Sequence, residues 1–166
     1  MSKQDKIQKT NAMRELDAAG IPYVVRAYED DGSEATGLGV AISERLGEDP
    51  DQGFKTLVTK TPSGGHVVCC IPVAEELDLK AAAAAAGEKS LSMLHMKDLL
   101  PVTGYVRGAC TPVGMKKRFP TLIDETCVLF DTIYISGGRR GIQLEVGTDD
   151  LVRFTDATVA AITRVG

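Results

Sequence analysis

A segment rich in glycine and proline, GYVRGACTPVGMKKRFP at residues 104–120, combines residue types that could support chemistry. Its small residues would let backbone N–H groups approach a ligand closely, and Pro112 would stiffen the loop. Cys110 is a candidate nucleophile there, provided that a neighbour such as Arg107 lowers the pKa of its thiol. No base lies nearby in the sequence, so the favoured interpretation of Cys110 is a small buried side chain that lines the loop.

A second candidate is Lys55, near the start of the apolar segment FKTLVTK (54–60). This segment is typical of a β-strand, and its alternation places Lys55 on the same face as Leu57. A lysine among apolar neighbours either extends its ammonium group into solvent or binds a ligand. The pattern alone favours a solvated lysine at a sheet edge.

Other candidate motifs are weak. The segment GLGVAI (37–42) resembles the start of a dinucleotide-binding loop, but Ile42 stands where a small residue is needed, so a solvated loop and helix start is expected. The segment DPDQG (49–53) lacks the later ligands of a calcium loop and reads as a turn. His66 and His95 are expected to be ordinary surface histidines.

Composition narrows the class of protein. The 166 residues are 43% hydrophobic and 25% charged, which favours one domain spanning residues 1–166. The net charge of −4 argues against a nucleic-acid binder that relies on bulk electrostatics. No apolar run is long enough for a membrane span, and the N-terminus lacks the apolar core of a signal peptide, so we expect a cytoplasmic protein.

The four cysteines are expected to be reduced thiols and not metal ligands, since none forms a C-x-x-C pair and neither histidine lies at metal-ligand spacing from them. They are Cys69, Cys70, Cys110 and Cys127. We therefore expect neither a metal nor a cofactor.

The elements that must position these residues form a mixed pattern. Helices are predicted at 5–19, 37–47 and 77–89, with one or two more within 148–164, and strands at 23–28, 54–60, 66–73, 132–137 and 141–147. Asp78 and Gly87 should cap the third helix, and Thr148 should cap the last. The turns TPSGG and GGRR predict hairpins, and the strand at 66–73, apolar on both faces, should be central. This pattern favours an antiparallel or mixed sheet with helices.

Five segments in this order resemble the YbaK/EbsC family of free-standing aminoacyl-tRNA deacylases. They are KTNAMRELDAAGIPYVVRAY, FKTLV, IPVAEELDLKAAAAAAG, TGYVRGACTPVGMKKRFPTLID and TIYISGGRRGIQLEV, which together span nearly the whole chain. The resemblance implies an α+β fold with a mixed, mostly antiparallel, barrel-like sheet flanked by helices. It also implies an editing pocket for the 3′ end of a mischarged tRNA.

The resemblance also assigns site residues. Lys55 matches the family's essential pocket lysine, and the loop at Gly108 and Ala109 would supply catalytic backbone donors. The implied substrate-binding residues are Tyr28, Thr56, Cys110, Thr111, Pro112, Ser136, Gly137 and Gln143. Ala109 and Cys110 replace the family's common Gly and Ile, which could change the pocket width. Gln143 stands where cysteine-specific members carry an acidic residue.

Two basic clusters are candidates for contacts with tRNA phosphates. They are Lys116, Lys117 and Arg118 in the glycine-rich segment, and Arg139 and Arg140 in the GGRR turn. For each cluster alone, a solvated charged face is the simpler interpretation. Because two such clusters occur in an acidic protein, contact with tRNA phosphates becomes about as good an interpretation as a solvated face.

The leading functional hypothesis is trans editing of Cys-tRNA(Pro). The resemblance implies that the thiol of the misattached cysteine attacks its own ester, while a positioned water would serve other amino acids. Prolyl-tRNA synthetase is the implied protein partner. Two alternatives stay open: a deacylase for another small amino acid such as alanine or serine, and a non-catalytic binder of aminoacyl-tRNA or of a synthetase. The sequence leaves the oligomeric state undetermined.

Overall fold

Helices and strands alternate along the part of the chain that the computed structural model describes, residues 8–30 and 38–164. The α-helices are α1 (Asn11–Ala18), α2 (Leu38–Leu46), α3 (Leu79–Ala86), α4 (Met96–Thr103) and α5 (Thr148–Thr155), with a 3-10 helix at Glu125–Leu129. The strands are β1 (Tyr23–Ala27), β2 (Phe54–Lys60), β3 (His66–Pro72), β4 (Ser92–Met93), β5 (Thr121–Asp124), β6 (Thr132–Ser136), β7 (Ile142–Gly147) and β8 (Thr158–Ala160). The predicted mixed α+β class is confirmed.

The strands form two sheets that do not close into a barrel, which corrects the barrel-like sheet expected above. One sheet has the order β1-β7-β6 and the other β4-β2-β3-β5-β8. Most neighbours are antiparallel, as predicted, but β3 with β5 and β5 with β8 are parallel. A single bridge between Gly53 and Tyr134 joins the start of β2 to β6.

Strand β3 is central, as its apolar sequence predicted. Val68 and Cys70 contribute to one core, together with residues of α1, β6, β7 and α5. Val67 and Ile71 point to the opposite face and contribute to a second core under α3. Because successive side chains alternate across a strand, β3 must be apolar along its whole length to serve both cores.

Local capping explains both limits of α3 and the start of α1. The Asp78 side chain accepts a hydrogen bond from the Ala81 N–H, and Gly87 ends α3 with φ 72°, as predicted. Helix α1 begins later than residue 5 because the Thr10 hydroxyl caps it at the Met13 N–H. Residues 5–7 of that predicted helix lie outside the described residues.

One expectation near the end of the chain is wrong. Thr148 does not cap α5, because its hydroxyl donates to the Phe130 carbonyl at 2.7 Å, and Gly147 holds the cap position. Of the one or two closing helices predicted, the described residues form one, α5, and Thr158–Ala160 is strand β8. The edge of β5 offers these residues a parallel partner that the local sequence could not reveal.

Both predicted hairpins form, and the second one positions the candidate site. In the β6–β7 hairpin Ser136 lies opposite Gln143, and β1 places Arg26 on the other side of Gln143. These three side chains therefore share one face of the smaller sheet. In the described part of the chain, every helix is too short or too polar to cross a membrane.

Candidate active site

A cavity of about 320 Å³ lies where the two sheets meet. Its walls come from the first half of α2, the start of β2, the β6–β7 hairpin, Tyr28 after β1, and the loop at residues 107–110. A volume of this size suits a small ligand or the end of a larger one.

The structure brings together seven of the residues that the sequence proposed for substrate contact or catalysis. They are Tyr28, Lys55, Thr56, Gly108, Cys110, Ser136 and Gln143. These residues come from four separate segments of the chain. Only their arrangement in space makes them one site.

Four other proposed residues do not line the cavity. The Ala109 N–H donates to the Val106 carbonyl at 3.0 Å and so closes a turn. The Gly137 carbonyl accepts a hydrogen bond of 2.6 Å from the Thr10 hydroxyl. Thr111 is fully buried, and Pro112 lines a separate small cleft. These residues support the loop and the hairpin and do not contact the cavity.

Lys55 is half-buried in the cavity wall, and not solvated at a sheet edge as its local pattern favoured. Its backbone pairs with Ile71 in β3, and its ammonium group forms no ion pair or hydrogen bond with any residue of 8–30 or 38–164. Burial lowers the pKa of Lys55, while Glu76 and Glu75 act in the opposite direction. A partly desolvated cation without a fixed partner is well suited to bind an anion or a developing oxyanion.

The loop opposite Lys55 is fixed by an arginine. Gly108 has φ +85°, a conformation that favours glycine. The Arg140 guanidinium packs against it, donates to the Arg107 carbonyl at 3.2 Å and forms a two-point ion pair with Asp30 at 3.0 and 3.1 Å. Within the described chain the Gly108 N–H has no hydrogen-bond acceptor, so it remains a donor for a ligand.

Cys110 contributes a neutral thiol to the cavity. It is 8% exposed, and burial raises its pKa to about 12. Neither histidine of the chain lines the cavity. His66 contacts the Phe119 ring edge-on, and His95 precedes α4. The cavity therefore holds no cysteine–histidine pair that could generate a thiolate.

A charged cluster adjoins the cavity wall that the smaller sheet forms, although its charged members do not line the cavity. Arg26 lies 3.4 Å from the carboxylate of Glu48 and 3.6 Å from that of Glu145, and its guanidinium stacks over Tyr134 at 5.1 Å. Gln143 lies beside this cluster and lines the cavity. Sequence reasoning missed Arg26, Glu48 and Tyr134, because their proximity depends on the pairing of β1 with β7 and on the loop after α2.

Helix α2 is the other part of the wall that the sequence did not reveal. Leu38, Gly39, Ile42 and Ser43 line the cavity, although GLGVAI was expected to be a solvated loop and helix start. A β-carbon on Gly39 would lie only 2.7 Å from the Val73 side chain. The glycine inside an otherwise regular helix was the one available signal of this close approach.

The two predicted tRNA-binding clusters lie in different places. The Arg140 side chain packs against Gly108, which lines the cavity, and the neighbouring Arg139 is exposed. Lys116, Lys117 and Arg118 instead line a second, open groove of about 640 Å³, and none of them lines the cavity.

Residues 116–118 also have structural contacts. The Lys116 ammonium donates to the Pro101 carbonyl at 3.2 Å. The Arg118 guanidinium donates to the Phe154 carbonyl at 2.9 Å and lies 4.8 Å from its ring centroid. Part of this charge therefore serves the fold at the end of α5.

Comparisons with known proteins show the family of the chain. The family model of the aminoacyl-tRNA editing domain matches residues 36–154. Over 163 residues the chain is 43% identical to EbsC of Enterococcus faecalis (strain ATCC 700802 / V583), a proposed Cys-tRNA(Pro)/Cys-tRNA(Cys) deacylase, and the match covers 98% of each chain.

Solved structures share the fold. A proposed trans-editing enzyme for prolyl-tRNA synthetase superposes with a TM-score of 0.80 at 20% identity over 99% of each chain. The hypothetical protein APE2540 superposes with a TM-score of 0.83 at 22% identity, over 93% of this chain and all of that one. The domain match and the 43% identical relative confirm the resemblance seen in the sequence, and the chain belongs to the YbaK/EbsC family of aminoacyl-tRNA editing domains.

Proposed function

We propose that this chain is an aminoacyl-tRNA deacylase that releases misattached cysteine from tRNA(Pro). One observation carries the proposal: the Lys55 ammonium group is half-buried in a cavity of about 320 Å³ and has no carboxylate partner in the described part of the chain. The assignment of EbsC, 43% identical, as a Cys-tRNA(Pro)/Cys-tRNA(Cys) deacylase supports the choice of substrate.

The proposed substrate is an ester between the amino-acid carboxyl group and the ribose of the terminal adenosine. The cysteine sulfur attacks its own carbonyl carbon, so that a carbon–sulfur bond forms and the ester carbon–oxygen bond breaks. The thiol proton goes to the departing ribose oxygen. The products are a thiolactone and an uncharged tRNA with a free 3′ end.

In this mechanism the protein stabilises charge and supplies no nucleophile. The Lys55 ammonium offsets negative charge on the ester oxygen or on the adjacent phosphate. The Gly108 N–H is the proposed hydrogen-bond donor to the same charge, and a preorganised donor of this kind is worth about 3 kcal/mol. The raised pKa of the Cys110 thiol agrees with a supporting role for that side chain.

The remaining parts of the proposal concern the cellular setting. Deacylation of tRNA during translation supports a proposed cytoplasmic location, and prolyl-tRNA synthetase is the proposed partner that delivers the mischarged tRNA. Arg139 is exposed beside the cavity and is the proposed first contact with the 3′ strand. Lys116, Lys117 and Arg118 would contact phosphates of the tRNA that lie farther from its 3′ end. The reaction as proposed uses neither a metal nor a cofactor.

The test is a deacylation panel with purified protein. Cys-tRNA(Pro), Cys-tRNA(Cys), Ala-tRNA(Pro) and Ser-tRNA are each incubated with the wild type and with Lys55→Met. We expect multiple turnover that is fastest for a cysteinyl ester and that disappears in the variant. Turnover of only alanyl or seryl esters would contradict cysteine as the substrate and would identify a deacylase for another small amino acid. Binding of charged tRNA without turnover would identify a non-catalytic binder.

A further inference from the structure

The open groove of about 640 Å³ lies at the far end of the β2–β3 hairpin from the cavity. Its walls come from the hairpin turn and flanking residues at 61–67, the end of α3 with Glu88 after it, the end of α4 and the segment 116–120. The cavity, by contrast, is lined by the start of β2 and by Val73 after β3. The two sites therefore occupy opposite ends of one two-stranded ribbon.

The groove is positively charged, although the whole chain carries a net charge of −4. Lys116, Lys117 and Arg118 line it, and Glu88 is the only acidic residue among the described residues that do so. None of the three cations forms an ion pair with a carboxylate of residues 8–30 or 38–164. Such a concentration of positive charge without carboxylate partners attracts a polyanion.

Main-chain carbonyl groups hold two of these cations in place. The Lys116 ammonium donates to the Pro101 carbonyl near the end of α4, and the Arg118 guanidinium donates to the Phe154 carbonyl in α5. These contacts orient the two side chains without cancelling their charge. Fixed cations match a ligand whose own charges are fixed, as the phosphates of an RNA helix are, whereas a flexible acidic peptide would first have to be ordered.

The glycine-rich segment connects the groove with the cavity. Gly108 and Cys110 of this segment line the cavity, and its residues 116–120 line the groove. The six residues along the chain from Lys55 to Thr61, at about 3.3 Å each, correspond to roughly 20 Å. A single ligand that reaches both sites must therefore be much longer than one nucleotide.

We propose that the groove binds the phosphate backbone of the acceptor stem of the tRNA whose 3′ end occupies the cavity. At about 3.4 Å for each stacked nucleotide, roughly 20 Å corresponds to about six nucleotides from the terminal adenosine. That position lies beyond the short unpaired tail of a tRNA and within the first base pairs of its stem. The β2–β3 hairpin is then a spacer that matches the length of the tail.

This inference rests on the proposed function. It adds that residues 116–118 contact the double helix and not the tail, and that the length of the tail matters to the protein. A charged RNA that lacks the stem, or whose stem begins at the wrong distance from the ester, cannot occupy both sites at once.

The test uses three cysteinyl esters. The first is a minihelix that contains only the acceptor stem of tRNA(Pro) and its unpaired tail. The second is the same minihelix with about three extra unpaired nucleotides between the stem and the tail. The third is a single-stranded oligonucleotide with the sequence of the tail. The ratio of kcat/KM for the first ester to kcat/KM for the third is the stem advantage.

Each ester is assayed with the wild type and with two triple variants. One variant replaces Lys116, Lys117 and Arg118 by glutamine. The control variant replaces Arg14, Lys80 and Lys97 by glutamine and so has the same net charge. These three control residues are exposed on other helical surfaces and line neither the groove nor the cavity.

We expect a stem advantage of about tenfold in the wild type, the size expected for three exposed ion pairs formed together. The variant at residues 116–118 should lose most of this advantage, and the control variant should keep it. The extra unpaired nucleotides should lower kcat/KM of the wild type toward the value for the tail alone, because they move the stem away from the groove. The same insertion should have little effect on the variant at residues 116–118.

A stem advantage that the variant at residues 116–118 retains would overturn the inference, and so would equal kcat/KM of the wild type for the two minihelices. If this variant instead loses only a stimulation by added prolyl-tRNA synthetase, the groove binds an acidic segment of a protein, which also contradicts the inference.

A binding measurement separates this inference from the proposed function. The uncharged, fluorescently labelled minihelix and the uncharged tail are titrated with the wild type and both triple variants, and the anisotropy is recorded. A wild type without turnover that binds the minihelix more tightly than the tail through residues 116–118 would contradict only the deacylase assignment. Equal affinities of the wild type for the two RNAs would contradict the stem contact, whatever the turnover.

Discussion

The Arg140 guanidinium packs against the Cα of Gly108, so closely that a β-carbon on Gly108 would stand 2.5 Å from Nη1 of Arg140. Arg140 is itself held by Asp30 and by the Arg107 carbonyl. The loop that borders the cavity is therefore clamped from the β6–β7 hairpin, and a residue larger than glycine at 108 would have to displace the Arg140 guanidinium.

This packing predicts that Gly108→Ala lowers kcat/KM at least tenfold, because the loop must shift away from the ester. Gly64→Ala is the matched control, since Gly64 has φ +89° but no atom within 4 Å of its missing β-carbon. Both variants should lose about 1 kcal/mol of stability from the positive φ. Steady-state kinetics and thermal melting measure the two effects. Equal activity in the two variants would refute the clamp.

Replacement of Lys55 should lower the deacylase activity and raise the stability of the protein. Lys55→Met should abolish deacylation, and at pH 7 it should raise Tm by roughly 2–4 °C if removal of the half-buried charge gains about 1 kcal/mol. The pKa of Lys55 is lowered in the folded state, so the charged form opposes folding. This cost disappears as the pH rises from that lowered pKa toward 10.5, and the Tm difference should shrink accordingly.

The control for Lys55 is Lys60→Met, an exposed lysine at the other end of β2. It removes the same charge outside the cavity and should leave activity unchanged. Lys55→Met with activity within threefold of wild type would remove Lys55 from the mechanism.

Cys110→Ser should retain most deacylase activity. The thiol is neutral because burial raises its pKa to about 12, and the proposed reaction uses the sulfur of the substrate. Cys127→Ser, at a buried cysteine outside the cavity, controls for packing effects. A loss of a hundredfold or more in kcat with unchanged substrate binding, specific to Cys110, would instead identify a protein nucleophile.

Replacing Lys116, Lys117 and Arg118 by glutamine should raise KM for charged tRNA and leave kcat nearly unchanged, because ion pairs with phosphates bind ground and transition states alike. The slope of log kcat/KM against log salt should become shallower by about 0.7–0.9 for each phosphate ion pair that the substitutions remove. A triple variant of the exposed Lys60, Lys80 and Lys89 has the same net charge and tests for bulk electrostatics. If log kcat/KM falls with log salt at the same slope in the wild type and in both triple variants, residues 116–118 do not contact phosphates and form only a solvated face.

The dependence of kcat/KM on pH should reveal the protonation of the Glu48 carboxylate. Burial raises its pKa above the ordinary 4.5, although Gln143 and Arg26 partly offset this shift and Glu145 adds to it. Protonation of Glu48 removes the charge that faces Arg26 at 3.4 Å beside the cavity, so kcat/KM for cysteinyl-tRNA(Pro) should fall as the pH drops through that raised pKa. Glu48→Gln should lack this acid limb. An identical limb in both proteins would assign it to another group.

The local elements were largely predictable, because their signals lie within a few residues. Asp78 and Gly87 set the limits of α3, and the TPSGG turn fixes the β2–β3 hairpin. Strand β8 was not predictable, since Thr158–Ala160 becomes a strand only through the edge of β5, more than thirty residues earlier. The division into two sheets depends on the same kind of distant pairing.

The candidate site was predictable only where the family resemblance assigned residues. Lys55, Gly108 and Gln143 were identified in this way, whereas Glu48 was not. Glu48 lies in a loop that reads as an ordinary turn, and its importance arises from the pairing of Arg26 with Gln143 across β1 and β7. No local pattern encodes that juxtaposition.

The walls of the cavity extend along the chain from Tyr28 to Gln143 and require both sheets, joined at the Gly53–Tyr134 bridge. Pairings so distant in sequence are entropically expensive to close, and they tend to form late in folding. Helix α3 and the β2–β3 hairpin can form before β7 has docked, but the cavity cannot. In a refolding experiment, helical and strand signals should therefore recover before catalytic competence, and catalytic competence should report the last docking event of the chain.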